Sequence, residues 1–218
     1  FPARSPAEWT VIDTLEMPST TRDAVRIPKG AGASANLNRF GFYSDLSYDA
    51  KTGYWYALSD RGPGGGVIDY ATRVQRLRIP VDTATGQIGE PVIDKTILFR
   101  GEDGAVFNGL NPQLLNGDAG VLGMSFDPEG LAIGKGGHFY VADEYGPSIF
   151  EFTSSGHFIR AFSTPANLVS RTAAGTPDYV AGRPAIVNGR QDNRGFEGLT
   201  LNTSGDKLCA VVQDPLVY

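Results

Sequence analysis

What this chain has little of narrows its reading first. Its two histidines, His138 and His157, are the only imidazoles on offer, and each stands beside a turn glycine, where a solvent-exposed ring is expected before a metal ligand. The single cysteine, Cys209, lies in the apolar run Leu208-Cys209-Ala210-Val211-Val212 and reads as a small core residue, not a nucleophile. One thiol neither demands nor forbids an oxidising compartment. Apolar runs are only a few residues long, far short of the roughly 20 that a membrane-spanning helix needs, and the N-terminus has no apolar stretch of the signal-peptide kind. A start at Phe1 in place of Met fits a removed leader and equally a trimmed chain. Lysine and arginine never cluster and the net charge is -5, which argues against nucleic acid as a partner because phosphate neutralisation needs a basic patch. The chain lacks a Gly-x-Ser-x-Gly elbow, against an α/β serine hydrolase. The glycine run Gly62 to Gly66 lacks the Gly-Lys-Ser/Thr ending of a phosphate loop. No segment carries an apolar stripe of helical spacing and length.

What is present is turn chemistry joined to apolar strands. With 28 Gly and 14 Pro but 41% hydrophobic and 11% aromatic residues, the chain is too apolar for a disordered polymer and suits a globular domain rich in tight turns. At 218 residues it has room for one large domain or two small ones. Short β-rich runs bounded by Gly, Asp, Asn and Pro recur throughout, so the fold class is all-β. Strands are expected at Thr10 to Leu15, Tyr54 to Ser59, Thr72 to Ile79, Thr96 to Phe99, Leu131 to Ile133, Phe139 to Asp143, Ile149 to Thr153, Phe158 to Phe162, Leu199 to Leu201 and Leu208 to Gln213.

Three stretches repeat one order of features: an acid or small residue before Leu, a polar turn with Gly, an aromatic or aliphatic strand, then an acid or amide and Pro. They run from Asp45 to Pro63, from Glu129 to Pro147 and from Glu197 to Pro215. Each is a strand, a turn and a second strand, the repeated hairpin of a β-propeller of four-stranded blades. The separation of Glu129 and Glu197 exceeds one standard blade, so a loop insertion is expected over residues 164–190. At about 45 residues per blade the chain supplies fewer than five. It therefore reads as a single propeller domain over 1–218, truncated at its C-terminal side, with a missing C-terminal segment or a second chain completing the ring.

Equivalent strands of successive blades converge on one channel, which gives the repeated acids a chemical reading. Asp45, Glu129 and Glu197 precede the first strand of each copy, while Asp60, Asp143, Glu144 and Asp214 follow the second. Carboxylates gathered in a small volume need a cation, and hard oxygen ligands favour Ca²⁺ over Zn²⁺. Any one Asp, such as Asp60 or the Asp127 of Phe126-Asp127-Pro128, can instead cap its own turn. Glu129 and Glu197 are poorer turn formers, and the pair can alternatively hydrogen-bond neighbouring blades together. Arg61 follows Asp60 and Arg194 precedes Glu197 by three residues; a guanidinium fork suits a phosphate or carboxylate, or a plain surface ion pair. Asn202-Thr203-Ser204 is a formal glycosylation sequon.

The runs Ser125-Phe126-Asp127-Pro128-Glu129-Gly130-Leu131, Ala142-Asp143-Glu144-Tyr145-Gly146-Pro147 and Arg194-Gly195-Phe196-Glu197-Gly198-Leu199-Thr200, with Leu58-Ser59-Asp60-Arg61-Gly62, resemble the blocks of the esterase-like phytase family. The resemblance covers roughly Asn38 to Pro215, its most specific part being Arg194 to Leu199, and the family's domain is longer than this chain. It implies an exported β-propeller, secreted or periplasmic, related in shape to calcium-dependent alkaline phytases, with small-molecule phosphoesters as substrates. Under it, Asp60, Glu129, Glu144 and Glu197 are the Ca²⁺ ligands. Glu197, Arg194 and Arg61 are then the catalytic set, with the arginines on the phosphate and a metal-assisted water as attacking group. No residue is an obvious dedicated general base. Two other readings share these residues: a non-catalytic, calcium-stabilised scaffold for a ligand or partner, and a lactonase-like carboxylic esterase.

Overall fold

The computed structural model describes residues 10–26, 36–115, 118–181 and 184–218. Among them regular structure is almost wholly antiparallel β, interrupted by a four-residue helical turn at Pro112–Leu115 and two three-residue 3-10 turns. The first sheet is β1 (Tyr43–Asp49), β2 (Tyr54–Ser59), β3 (Arg73–Arg78) and β4 (Val92–Leu98), and the second is β5 (Pro128–Ile133), β6 (Phe139–Asp143), β7 (Ser148–Phe152) and β8 (Phe158–Ala161). In both, neighbours in sequence are neighbours in the sheet. A small pair, β9 (Arg171–Thr172) and β10 (Ile186–Asn188), precedes a third sheet of β11 (Phe196–Leu201) and β12 (Leu208–Val212). Among the described residues the sheets remain open.

The turns follow from local chemistry. Between β1 and β2 the Asp49 carboxylate accepts from the Lys51 N–H and the Thr52 hydroxyl, while Gly53 takes φ +72°, a left-handed conformation that glycine enters freely. One expected strand is absent: Thr10 to Leu15 is irregular, with Val11 and Ile12 exposed. The alternation is there, but among the described residues the segment has no ladder partner, and it is held by the Ile88 N–H on Asp13 Oδ2. The stretch 164–190, read as a loop insertion, contains the 3-10 turn Ala166–Leu168 and the β9–β10 pair.

Each sheet opens on a bulge. The pairing skips Ser44 between Tyr43 and Asp45, Glu129 between Pro128 and Gly130, and Glu197 between Phe196 and Gly198. The true equivalents are therefore Ser44, Glu129 and Glu197, followed by Asp45, Gly130 and Gly198, then by Leu46, Leu131 and Leu199. The sequence repeat places Asp45 with the two glutamates, one residue out of register, because a bulge adds a residue without leaving a composition signal.

β5 packs between β1 and β11. Ser44 Oγ and Ser47 Oγ donate to the carbonyls of Pro128 and Leu131, and the Leu131 N–H donates to Asp45 Oδ2 at 2.7 Å. On the other side Gly130 lets β11 approach, since a Cβ there would stand 2.6 Å from the Leu199 nitrogen. Between the first two sheets lies an aromatic core of Phe99, Phe107, Phe126, Phe139 and Phe152 with Leu58, Val74, Leu131 and Val141; between the second and third lie Ala132, Ala142, Phe196 and Leu199.

The repeated leucine is 2% exposed at Leu131 and 9% at Leu199, yet 48% at Leu46. Conversely Val211 of β12 is 62% exposed where its equivalent on β6, Ala142, is fully covered. Cys209 is exposed on this same bare face, correcting the expected core placement: Leu208 to Val212 alternates between its two faces, and Cys209 falls on the one left uncovered by the described residues. The outer face of the first sheet is partly covered by the N-terminal segment. There Asp23 Oδ2 pairs with Arg73 Nη1 at 2.6 Å and accepts from Gln75 at 2.9 Å, all three buried.

Candidate metal centre

The ends of β2 and β6 and the starts of β5 and β11 carry the acids. Asp60 follows β2 and Glu144 follows β6, while Glu129 and Glu197 are the bulge residues. A bulge turns its extra side chain along the strand end, which places Glu129 beside the β2 terminus. Asp127 joins them from the residue before Pro128. Its neighbour Phe126 is anchored in the aromatic core, and its own N–H donates to Asp143 Oδ1 at 2.9 Å. Carboxylate oxygens of Asp60, Asp127 and Glu129 all lie within 4.8 Å of one another.

Among the described residues two oxygens of these acids lack any hydrogen bond although buried, Glu144 Oε1 and Glu197 Oε2; a third, Asp127 Oδ2, has only Arg61 Nη1, at 3.0 Å and without hydrogen-bond alignment. Burial first, and then the charges of Asp60, Glu144 and Glu197, push Glu129 up to about 8. Burial, with repulsion from Glu197, raises Glu144 to about 7, against the pull of Asp127, Arg61 and Arg194. Asp127 is raised well above the ordinary carboxylate range by burial and by the hydrogen bond and charge of Asp60. The cluster is thus short of positive charge. Its donors are hard anionic oxygens, and orphaned ones, which is the set that suits Ca²⁺ or a similar divalent ion.

Of the acids expected here, Asp60 and Glu129 fall in the close triad, and Glu144 and Glu197 stand near enough to act on Glu129 through their charges. Asp45 does not join them, being bonded to Leu131 N. Asp143 is a turn anchor: Oδ1 accepts from Asp127 N and Tyr145 N, and Oδ2 from Gly146 N and the Ser148 hydroxyl. Asp214 pairs with Arg194 Nε at 3.1 Å. Asp127 escapes the sequence reading because Asp-Pro looks like a self-capping turn; its position two residues before Glu129 and next to a core-anchored Phe is the available signal.

The arginines differ. Arg61 is held inside the cluster by Asp127, by Asn193 Oδ1 at 2.5 Å and by the Tyr145 ring 5.7 Å away. Asn193 reaches it from a left-handed backbone, φ +48°, a conformation asparagine tolerates better than most residues. Burial, the largest single influence, lowers the Arg61 pKa, but the charges of Asp127 and Asp60 and the contact with Tyr145 together outweigh it and the net shift is upward. Arg194 is more exposed and reaches Gln213, Asp214 and, at 3.7 Å, Glu144 Oε1. The histidines stay outside: His138 Nδ1 meets Glu151, and His157 is exposed. A cavity of about 580 Å³ opens at the opposite, hairpin-turn end between Tyr48, Lys51, Lys135 and Asn202, and shares none of the clustered acids.

An all-β chain of open meander sheets with carboxylates gathered at one set of strand ends is the class that fold and site define. The family model described as phytase-like, esterase-like activity of phytase, matches residues 38–218, and the chain belongs to that phytase-like family. It is also similar to an uncharacterized secreted protein of Arthroderma benhamiae, 29% identical over 216 residues that take in 79% of this chain and 41% of that protein. The chain thus spans about two fifths of that relative's length. Among the described residues no helix is long and apolar enough to cross a membrane.

Proposed function

We infer that the acidic strand ends form a Ca²⁺ centre and that the chain is the metal-bearing part of an exported β-propeller hydrolase of phosphoric esters. The observation that carries this is the triad of Asp60, Asp127 and Glu129, with the buried, unbonded oxygens of Glu144 and Glu197 beside it, in a chain of the phytase-like family. Three sheets succeed one another with their first strands side by side, as blades do around an axis. The Leu46 face, only partly covered by the N-terminal segment, and the bare Val211 face are where further sheets of a ring would pack, supplied by more polypeptide of the kind the longer relative contains.

Asp60, Asp127 and Glu129 would hold the ion, with Glu144 and Glu197 completing its oxygen shell. A bound divalent cation supplies charge neutralisation for an anionic ester and its transition state. Arg194, half-exposed on the rim, would meet a phosphate oxygen pair. Arg61, tied to Asp127 and Asn193, orients the triad from within.

Calorimetric Ca²⁺ titration, paired with release of p-nitrophenol from the phosphate and the acetate esters, tests the reading. Saturable binding abolished by Asp127→Asn, with Ca²⁺-dependent phosphate release lowered by Arg194→Ala, is the expected result. Binding without turnover leaves the calcium-stabilised scaffold, turnover of acetate alone leaves the carboxylic esterase, and absence of binding removes the centre.

A further inference from the structure

Arg190, the residue that closes the 164–190 stretch, is 1% exposed and among the largest fully buried side chains. Among the described residues it forms no ion pair. Its guanidinium serves carbonyls instead: Nη2 donates to Tyr145 O and, at 3.1 Å, to Tyr179 O, and Nη1 donates to Gln191 O at 2.7 Å. Its Nε is buried with no acceptor among the described residues. Burial lowers its pKa, outweighing the pull that Asp143, Asp192 and Glu144 exert on its charge from beyond ion-pair distance; burying a charge this way is costly, so a fold that retains one gains something from what it grips.

The grip falls on the acidic centre. Tyr145 follows Glu144 directly, and the Glu144 backbone is held on both sides, its N–H on Asp127 O at 2.9 Å and its carbonyl accepting from Gly195 N at 3.1 Å. Arg190 adds a third hold one residue on. Its own backbone is fixed in turn: its N–H donates to Leu168 O, and its carbonyl accepts from the buried Ser170 hydroxyl, each at 3.0 Å. Gly189, at φ +93°, lies so close to Val169 O that no side chain fits.

We propose that Arg190 is a positioning residue for the metal centre, fixing the Glu144 carboxylate by clamping the Tyr145 carbonyl, and that this is what the stretch between β8 and β11 is folded to deliver. The proposal rests on the cation reading above. Residues behind a ligand shell commonly change metal affinity on the order of 10- to 100-fold when replaced. The sign separates this role from two others. A cation near the site, acting through charge alone, repels a metal, so its removal would tighten binding. A residue that serves only the fold would lower the melting temperature and leave affinity untouched well below it.

The experiment is Ca²⁺ titration of the wild-type chain, Arg190→Met, Arg190→Lys and Glu144→Gln, with thermal unfolding in parallel. The expected result is Ca²⁺ affinity lower on the order of tenfold or more in both arginine variants, the lysine not rescuing because one ammonium cannot span three carbonyls. In the Glu144→Gln background, Arg190→Lys is expected to add no further loss, the coupling of two residues that act through one contact. Should the arginine variants not fold, Ser170→Ala loosens the same clamp and is expected to weaken binding several-fold. Unchanged or tighter binding in any folded Arg190 or Ser170 variant overturns the proposal while sparing the metal centre. Lack of Ca²⁺ binding by the wild-type chain overturns both.

Discussion

Replacing Glu129 by glutamine should make the metal-free protein more stable in mild alkali while destroying its affinity for Ca²⁺. In the unfolded chain this carboxyl holds its proton only below about 4.5, whereas in the fold it holds it up to about 8. Between those values folding takes up a proton, so the contribution of Glu129 to stability is complete below about 4.5 and is lost as pH rises towards 8. Each pH unit between the two values is worth about 1.4 kcal/mol, which sets a ceiling of about 5 kcal/mol, and the solvent that still reaches the group reduces it to roughly 2–3 kcal/mol. For a chain of this size that corresponds to a melting temperature lower by about 4–12 °C. Thermal unfolding in a chelator from pH 5 to 8 reads it directly: the wild-type curve falls with pH by about this much more than that of Glu129→Gln. With Ca²⁺ added the order reverses, because only the wild type is stabilised. Parallel curves in chelator would show that Glu129 ionises without strain and would refute the electrostatic account of the cluster.

Asp23→Ala strands the buried Arg73 guanidinium and should cost about 3–5 kcal/mol, read as a melting temperature lower by on the order of 10 °C; a change under about 2 °C would mean that the N-terminal segment is not anchored by this pair. Cys209, on the bare face of the third sheet, should react with a disulfide reagent in the folded chain at the rate of a free thiol, and protection that grows with protein concentration would show that two copies cover that face.

Much of the architecture is legible in the sequence because hairpins advertise themselves twice, in strand alternation and in turn residues. Tyr54 to Ser59 and Phe139 to Asp143 match their observed bounds, while the expected start of β4 comes too late because its outer half, Val92-Ile93-Asp94-Lys95, is exposed and half polar. The run around Cys209 looks like core because composition alone does not tell which of two alternating faces is covered. Within the site, Asp60 and Glu129 are readable from the repeat, but Asp127 is not. An aspartate before proline satisfies itself locally in most chains, and only the packing of Phe126 commits this one to the interior. Asp45 fails for the opposite reason, since it matches the pattern in sequence and misses it by one residue in register. Arg190 leaves no trace, because a buried arginine that binds carbonyls has no partner visible in sequence.

The bulges at Glu129 and Glu197 bind chemistry and core into one register. Deleting a single residue there would move the carboxylate off the strand end and, in the same stroke, turn Leu131 and Ile133 from the core shared with the first sheet into the one shared with the third, or Leu199 and Leu201 from covered face to open face. Such a centre is free to exchange its side chains, as Ser44 in the first sheet already does, but not to migrate along its strands. Its variation is confined to identity at fixed positions, and new chemistry on this scaffold would arise by substitution and not by insertion or deletion.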